Sequence, residues 1–422
     1  MEIDLDDLRS RSTAELVSLG LQSGIEKATS LGRQDLVFEI LCQRTAKGAQ
    51  VPGSGVLEIL PDGFGFLRTA RVSYLPGADD IYVSPSQIRR FHLRTGDLVV
   101  GRVRTPKENE RYIALIKVEQ VNGYDPEAQD RPTIFDNLTP AFPNEPLRLE
   151  HDPADTTSRL LDLVVPMGLG QRVLVHAPPG SEGLLLYEHV LRALRVHHPA
   201  TDRILLLLQA RPEQAAEAAA LPAEVIATTF DEPASRHIQA AEIVSERARR
   251  LAEAGRDVIL FVHTVTNLCR AFEEQAGGQA RLGQAGLDGA VLARSRRILA
   301  DAHRLVEGGS LTVFATLRAG PQPRLDQAIA ESFLGTATAR ITLDTSLAVP
   351  GLRPGLDPLR SACRTDHRLL APEAVAARAR LRASLPADPA QALDRLLAAI
   401  AATSSNAALL AAPLDRAAQT GE

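Results

Sequence analysis

Ala177-Pro178-Pro179-Gly180-Ser181-Glu182-Gly183-Leu184 follows the apolar run Val173-Leu174-Val175 and leads into a helical stretch. A buried strand, a Pro/Gly turn and a helix form the passage from which parallel α/β sheets are built. Downstream, Ile204 to Leu208, Val258 to Val262 and Leu311-Thr312-Val313-Phe314 repeat the buried-strand character between helical stretches. The alternation predicts a mainly parallel sheet flanked by helices. The turn has the place of a phosphate-gripping loop, yet it lacks the lysine and the hydroxyl residue such loops use. Glu and Arg at helical spacing over roughly Ala240–Ala254 read as a solvated helix face, and the last 50 residues, dominated by Ala, Leu and Arg, read as helix.

Upstream of this half the pattern changes. Residues 122–155, rich in Pro, Asn and Asp, read as a linker. Before it, five short β-like runs, Val56 to Leu60, Gly65 to Leu67, Asp80 to Val83, Leu98 to Gly101 and Arg111 to Leu115, are separated by Gly, Pro and Asp turns. Five strands in so short a span predict a small barrel of the oligonucleotide-binding kind. Residues 5–48 carry helical periodicity, with Ser12 or Thr13 as a cap and an apolar stripe at Leu36, Ile40 and Leu41.

The chain has 422 residues, 45% of them apolar, enough for two or three domains with proper cores. There is no apolar run of membrane-span length, and the acidic start Met1-Glu2-Ile3-Asp4-Leu5-Asp6-Asp7 is unlike a secretory signal, so a cytoplasmic location is expected. Cys42, Cys269 and Cys363 are too scattered for a disulfide framework or a zinc site, and no metal site is expected. Net charge is only −5, but Arg89 to Lys117 holds eight Lys/Arg against three acids, a local footprint suited to phosphates.

Several of the chain's few aromatics lie in or shortly before that basic stretch. In Asp62-Gly63-Phe64-Gly65-Phe66-Leu67-Arg68 two rings stand at i and i+2, on one face of a strand. Such a pair can stack successive bases, each worth roughly 1–3 kcal/mol, with Arg68 at hand for a phosphate or base edge. Tyr82, Phe91 and Tyr112 lie within the same fifty residues.

Gly55 to Arg68, Asp79-Asp80-Ile81-Tyr82-Val83 to Phe91, Glu110-Arg111-Tyr112, Thr229 to His237 and Glu307 to Leu311 together resemble the bacterial transcription termination factor Rho family, over about residues 5–345. The resemblance implies a helical domain at 1–50, an OB-fold or cold-shock-like barrel at 51–125, a linker at 126–155, a RecA-like P-loop NTPase domain at 156–400 and a tail at 401–422. It implies a primary site for single-stranded, C-rich RNA at Asp62, Gly63, Phe64, Gly65, Phe66, Leu67, Arg68, Asp80, Ile81, Tyr82, Glu110, Arg111 and Tyr112, with Glu110 a suitable acceptor for a cytosine amino group. Arg281 and Arg324 stand where the family has its pore-loop lysines. Positive charge is kept at both.

The same resemblance sets an expectation about ATP and Mg²⁺, the ligands of the parent family. Across Pro179, Gly180, Ser181, Glu182, Gly183 and Leu184, Gly183 occupies the lysine position, Leu184 the hydroxyl position and Glu182 a glycine position. An extra anion about 4 Å from a polyphosphate costs on the order of 4 kcal/mol at an effective dielectric near 20. Ala210 stands where the family has the glutamate that prepares water, and His263 where it has an aspartate; Arg211 and the arginine-finger position Arg364 are kept. These residues set the expectation of a chain that is not an enzyme, with no cofactor. The function expected is RNA binding that regulates transcription termination, as a non-catalytic subunit entering or antagonising Rho hexamers. A stand-alone RNA decoy or antiterminator and an active ATP-dependent RNA translocase are the alternatives.

Overall fold

The computed structural model describes residues 4–45, 50–107, 110–127, 132–276, 289–318, 323–348 and 353–411. They fall into two compact units, Met1–Thr133 with Glu242–Arg250, and Ile134–Ala241 with Leu251–Glu422.

In the first unit three helices, α1 (Leu5–Ser10), α2 (Thr13–Gln22) and α3 (Arg33–Arg44), precede a closed barrel of β1 (Gln50–Ile59), β2 (Gly65–Arg68), β3 (Ile81–Val83), β4 (Leu98–Arg104) and β5 (Ile113–Val121). The strand order around the barrel is β1-β2-β3-β5-β4. Ser12 is the cap of α2, its hydroxyl accepting from the Glu15 N–H while Glu15 returns to the Ser12 N–H. A further short helix, α4 (Pro85–Arg90), is capped the same way by Ser84 and Gln87. Helices and barrel share one apolar core, in which Leu36, Val37, Ile40 and Leu41 join Leu57, Leu67, Ile81, Val83, Val99 and Ile113.

The second unit opens with two short strands inside the stretch expected to be a linker. β6 (Pro140–Ala141) pairs with β13 (Arg304–Leu305), and β7 (Pro146–Leu147) pairs with β8 (Met167–Gly168), which follows α5 (Thr156–Val164). The main sheet is formed by β9 (Arg172–Ala177), β10 (Asp202–Ala210), β11 (Glu224–Thr229), β12 (Asp257–His263), β14 (Ser310–Arg318), β15 (Ala339–Thr342) and β16 (Ala362–Cys363), in the order β11-β10-β12-β14-β9-β15-β16. Along this path every pairing is parallel except β15 with β16, and β13, which carries β6, adds to β14 antiparallel. The four expected apolar runs lie in β9, β10, β12 and β14; Val173, Leu206, Leu260 and Val313 are fully buried or nearly so, as parallel strands covered on both faces require.

Helices α6 (Gly183–His197), α7 (Pro212–Ala218), α8 (Ala234–Glu253), α9 (Val265–Gln275), α10 (Gly289–Ala300) and α11 (Pro323–Leu334) intervene between strands, and α12 (Asp366–Leu369), α13 (Pro372–Ala383), α14 (Pro389–Ala401) and α15 (Asn406–Ala411) close the described chain. The α8 face is not the solvated one expected from its charges. Arg247, Arg249 and Arg250 are buried, the last two bonded to Glu246 one turn back. No described helix is long and apolar enough to cross a membrane.

Candidate RNA-binding face and nucleotide cleft

On the barrel, register builds an aromatic cluster. Phe66 of β2 faces Tyr82 of β3, ring centroids 6.0 Å apart, and Phe64 reaches both, at 5.8 Å from Phe66 and 5.7 Å from Tyr82. Tyr112 adds a fourth ring, 5.0 Å from Phe66 and half exposed. Phe66 itself is buried, so the accessible aromatic edge is Phe64, Tyr82 and Tyr112. Gly65 permits the close approach of β1, because a Cβ there would lie 2.7 Å from the Glu58 carbonyl oxygen. Gly63 turns the chain at a φ of +82°.

Strand alternation separates the other candidate residues. Leu67 and Ile81 point into the core and offer a ligand no surface. Arg68, expected to be available for a phosphate or base edge, is 4% exposed and ion-paired with Glu58 and with Asp80, Nε to Oδ2 3.1 Å. Its guanidinium sits 5.9 Å from the Phe66 ring centre and supports the cluster from below. Burial pushes the Asp80 carboxyl up to about 6 despite the Arg68 charge and the Gly77 N–H. Asp62, Glu110 and Arg111 are exposed. The Glu110 carboxylate is bidentate to Arg104, with Nη2 to Oε1 2.8 Å, and accepts from the Lys107 N–H; these bonds hold it at about 2, so it is an ionised acceptor already engaged by a cation.

The second unit carries a cleft of about 440 Å³ where β9, β10, β12 and β14 all present their C-terminal ends, the position at which open α/β sheets bind ligands. Its lining includes Gly180, Ser181, Glu182, Gly183 and Leu184 from the loop between β9 and α6, with Arg211, His263, Thr316 and Arg318 opposite. Gly183 opens α6, and a Cβ there would come within 3.2 Å of the Ala177 Cβ. Leu184 turns its side chain onto the apolar core. Glu182 adopts φ +48°, a conformation more usual for glycine. Its carboxylate is bidentate to Arg353, Nε to Oε2 2.9 Å, so the anion expected to repel a polyphosphate has a partner. The Arg353 carbonyl in turn bonds the His189 ring, whose other nitrogen meets Asp155.

Ala210 is buried, and Arg211 is exposed at the start of α7. Burial and the nearby Arg318 charge push the His263 imidazole down to about 4, leaving it neutral with Nδ1 3.3 Å from Thr316 Oγ1. Ser181 Oγ is buried with no hydrogen-bond partner among the described residues. Arg364 is exposed beyond β16. Arg281 lies outside the described residues, and Arg324 falls within α11.

Sequence reasoning missed Arg318 and Arg353. The first could have been found as the residue following the apolar run of β14. Arg353 is 171 positions from Glu182, and no local pattern joins them.

Residues 53–127 match the family described as Rho termination factor, RNA-binding domain, and residues 157–363 match the ATP synthase alpha/beta family, nucleotide-binding domain. The chain is 42% identical over 409 residues to transcription termination factor Rho of Chromobacterium violaceum, covering 96% of this chain and 98% of that protein. It is 41% identical to its counterpart in Buchnera aphidicola over the same spans, and 42% identical to that of Escherichia coli K12 over 88% of this chain and 90% of the relative. Among solved structures, a prototypical ATPase from the type III secretion system of pathogenic bacteria shares the fold, with TM-score 0.50 and 23% identity over 58% of this chain and 70% of that one.

These matches overturn the expectation that the chain is not an enzyme. That expectation rested on a handful of side chains at the cleft, whereas the match to a nucleotide-binding domain spans 157–363 and the likeness to the Rho factors nearly the whole length. The chain belongs to the transcription termination factor Rho family.

Proposed function

We propose that this protein is a cytoplasmic Rho-type termination factor whose barrel captures single-stranded, C-rich RNA and whose second unit handles nucleotide within a ring of like subunits. The observation that carries the reading is the cluster of Phe64, Phe66, Tyr82 and Tyr112 on one barrel face, with ionised Glu110 and exposed Arg111 beside it in sequence. Aromatic faces stack bases of any kind, and an ionised carboxylate accepts from a cytosine amino group. For Glu110 to do so, Arg104 must release it or share it.

Residues 51–125 form the RNA-reading domain in this reading and 156–400 the nucleotide-binding domain, with Arg281 and Arg324 contributing positive charge to an RNA path. In this reading the chain enters rings with other Rho subunits, a role that its 42% identity over nearly the whole length of a Rho factor supports. Gly183 and Leu184 leave nucleotide held more weakly than a loop with lysine and hydroxyl would hold it.

Phe64→Ala combined with Phe66→Ala tests the central claim. Fluorescence anisotropy with a labelled C-rich oligonucleotide at fixed salt shows more than about a tenfold loss of affinity. Unchanged affinity in a folded variant removes the barrel face as the RNA site.

A further inference from the structure

Magnesium takes oxygen ligands, carboxylates, hydroxyls and phosphates, in near-octahedral geometry. The described lining of the cleft holds one carboxylate, Glu182, and Arg353 engages it. His263 offers an imidazole already bonded to Thr316, whose hydroxyl also meets Tyr187 at 2.6 Å. Leu184 packs into the core, and no group of three His, Cys, Asp or Glu side chains able to hold a metal exists among the described residues. Ser181 Oγ is a single neutral oxygen, and without a free carboxylate beside it the described residues do not fit the divalent cation that accompanies nucleotides in related sites.

They fit an anion well. α6 is 15 residues long and opens at Gly183, with its first N–H groups and the positive end of its dipole at the cleft. Arg211, directly after β10, and Arg318, the last residue of β14, also line the cleft. The independent pointer is Ser181, 6% exposed and lining the cleft, whose hydroxyl has no partner among the described residues. A buried donor left unsatisfied is destabilising, and a phosphate oxygen would relieve it.

We propose that this cleft binds a nucleoside polyphosphate free of magnesium, with Ser181 Oγ donating to a phosphate oxygen and Arg211 and Arg318 supplying the countercharge a metal would otherwise provide. The inference rests on the cleft being the nucleotide site of the reading above. It concerns binding; turnover is a separate measurement.

Isothermal titration of the full chain with ATP, at constant ionic strength in excess Mg²⁺ or excess EDTA, tests it, with inorganic phosphate titrated separately. ATP binds in EDTA at least as tightly as in Mg²⁺, and Ser181→Ala weakens binding about fivefold or more. Replacing metal-incompatible side chains, Leu184→Thr with His263→Asp, makes Mg²⁺ strengthen binding. A loss of about tenfold or more on adding EDTA, or an unchanged Ser181→Ala variant, overturns the proposal. Phosphate binding as tightly as ATP overturns the nucleotide assignment. C-rich RNA binding is followed in the same samples: absent ATP binding with RNA binding intact sinks this inference alone, whereas lost RNA binding in the unmodified chain sinks the functional reading.

Discussion

Arg68 illustrates how burial converts an apparent ligand contact into a support. Its guanidinium lies between Glu58 and Asp80 under the aromatic cluster, so removing it leaves two carboxylates with no compensating cation. Arg68→Ala should destabilise the first unit by roughly 3–5 kcal/mol in urea melts at neutral pH. The sign of its pH dependence follows from Asp80, whose folded carboxyl is raised to about 6 and rises further without Arg68. A raised carboxyl favours the fold below its unfolded value and loses that contribution as pH climbs, so the variant should be less damaged at pH 5 than at pH 8. A loss below about 1 kcal/mol at both pH values would make Arg68 a surface residue in energetic terms. The ring pair Phe64 and Phe66 was legible because two aromatics spaced i and i+2 at the entry to β2 are brought into one cluster. The fate of Arg68 was not, because its partners come from β1 and the residue preceding β3. Ser181 and Glu182 were likewise visible as residue types, but the missing partner of one and the distant partner of the other are properties of the folded loop.

Elements were more legible than contacts. The barrel strands and β9, β10, β12 and β14 announce themselves as short apolar runs between turn residues, whereas β11, β15 and β16 do not, and Ser12 and Glu15 write out the α2 cap directly. The arginines of α8 misled because sequence spacing shows charge without showing burial, and the β6 and β7 pairings are too short to leave a pattern in a Pro-rich stretch. At Gly101 the requirement is steric. The ladder between β4 and β5 shifts register there, and a Cβ would lie 2.0 Å from the Lys117 carbonyl oxygen, which is backbone and cannot swing away. Gly101→Ala should therefore destabilise the barrel by about 2 kcal/mol or more, read as a lowered urea midpoint with RNA affinity falling only as the folded fraction falls. Wild-type stability in that variant would mean that the two strands separate locally without penalty.

For the whole molecule, near full-length likeness to Rho factors makes assembly the property to measure. Native mass spectrometry of this chain mixed with a distinguishable Rho subunit should show hetero-oligomers at equimolar ratio. Only homo-oligomers, after exchange has had time to occur, would remove the mixed ring from the proposed function. The apolar cluster that joins α1–α3 to the barrel has a consequence of another kind. A cassette cut at residue 51 and grafted onto another protein would carry a sticky flank where Leu36, Ile40 and Leu41 had lain, inviting chaperones and aggregation. Helices and barrel are thus one unit of inheritance, and recombination that preserves solubility must move them together.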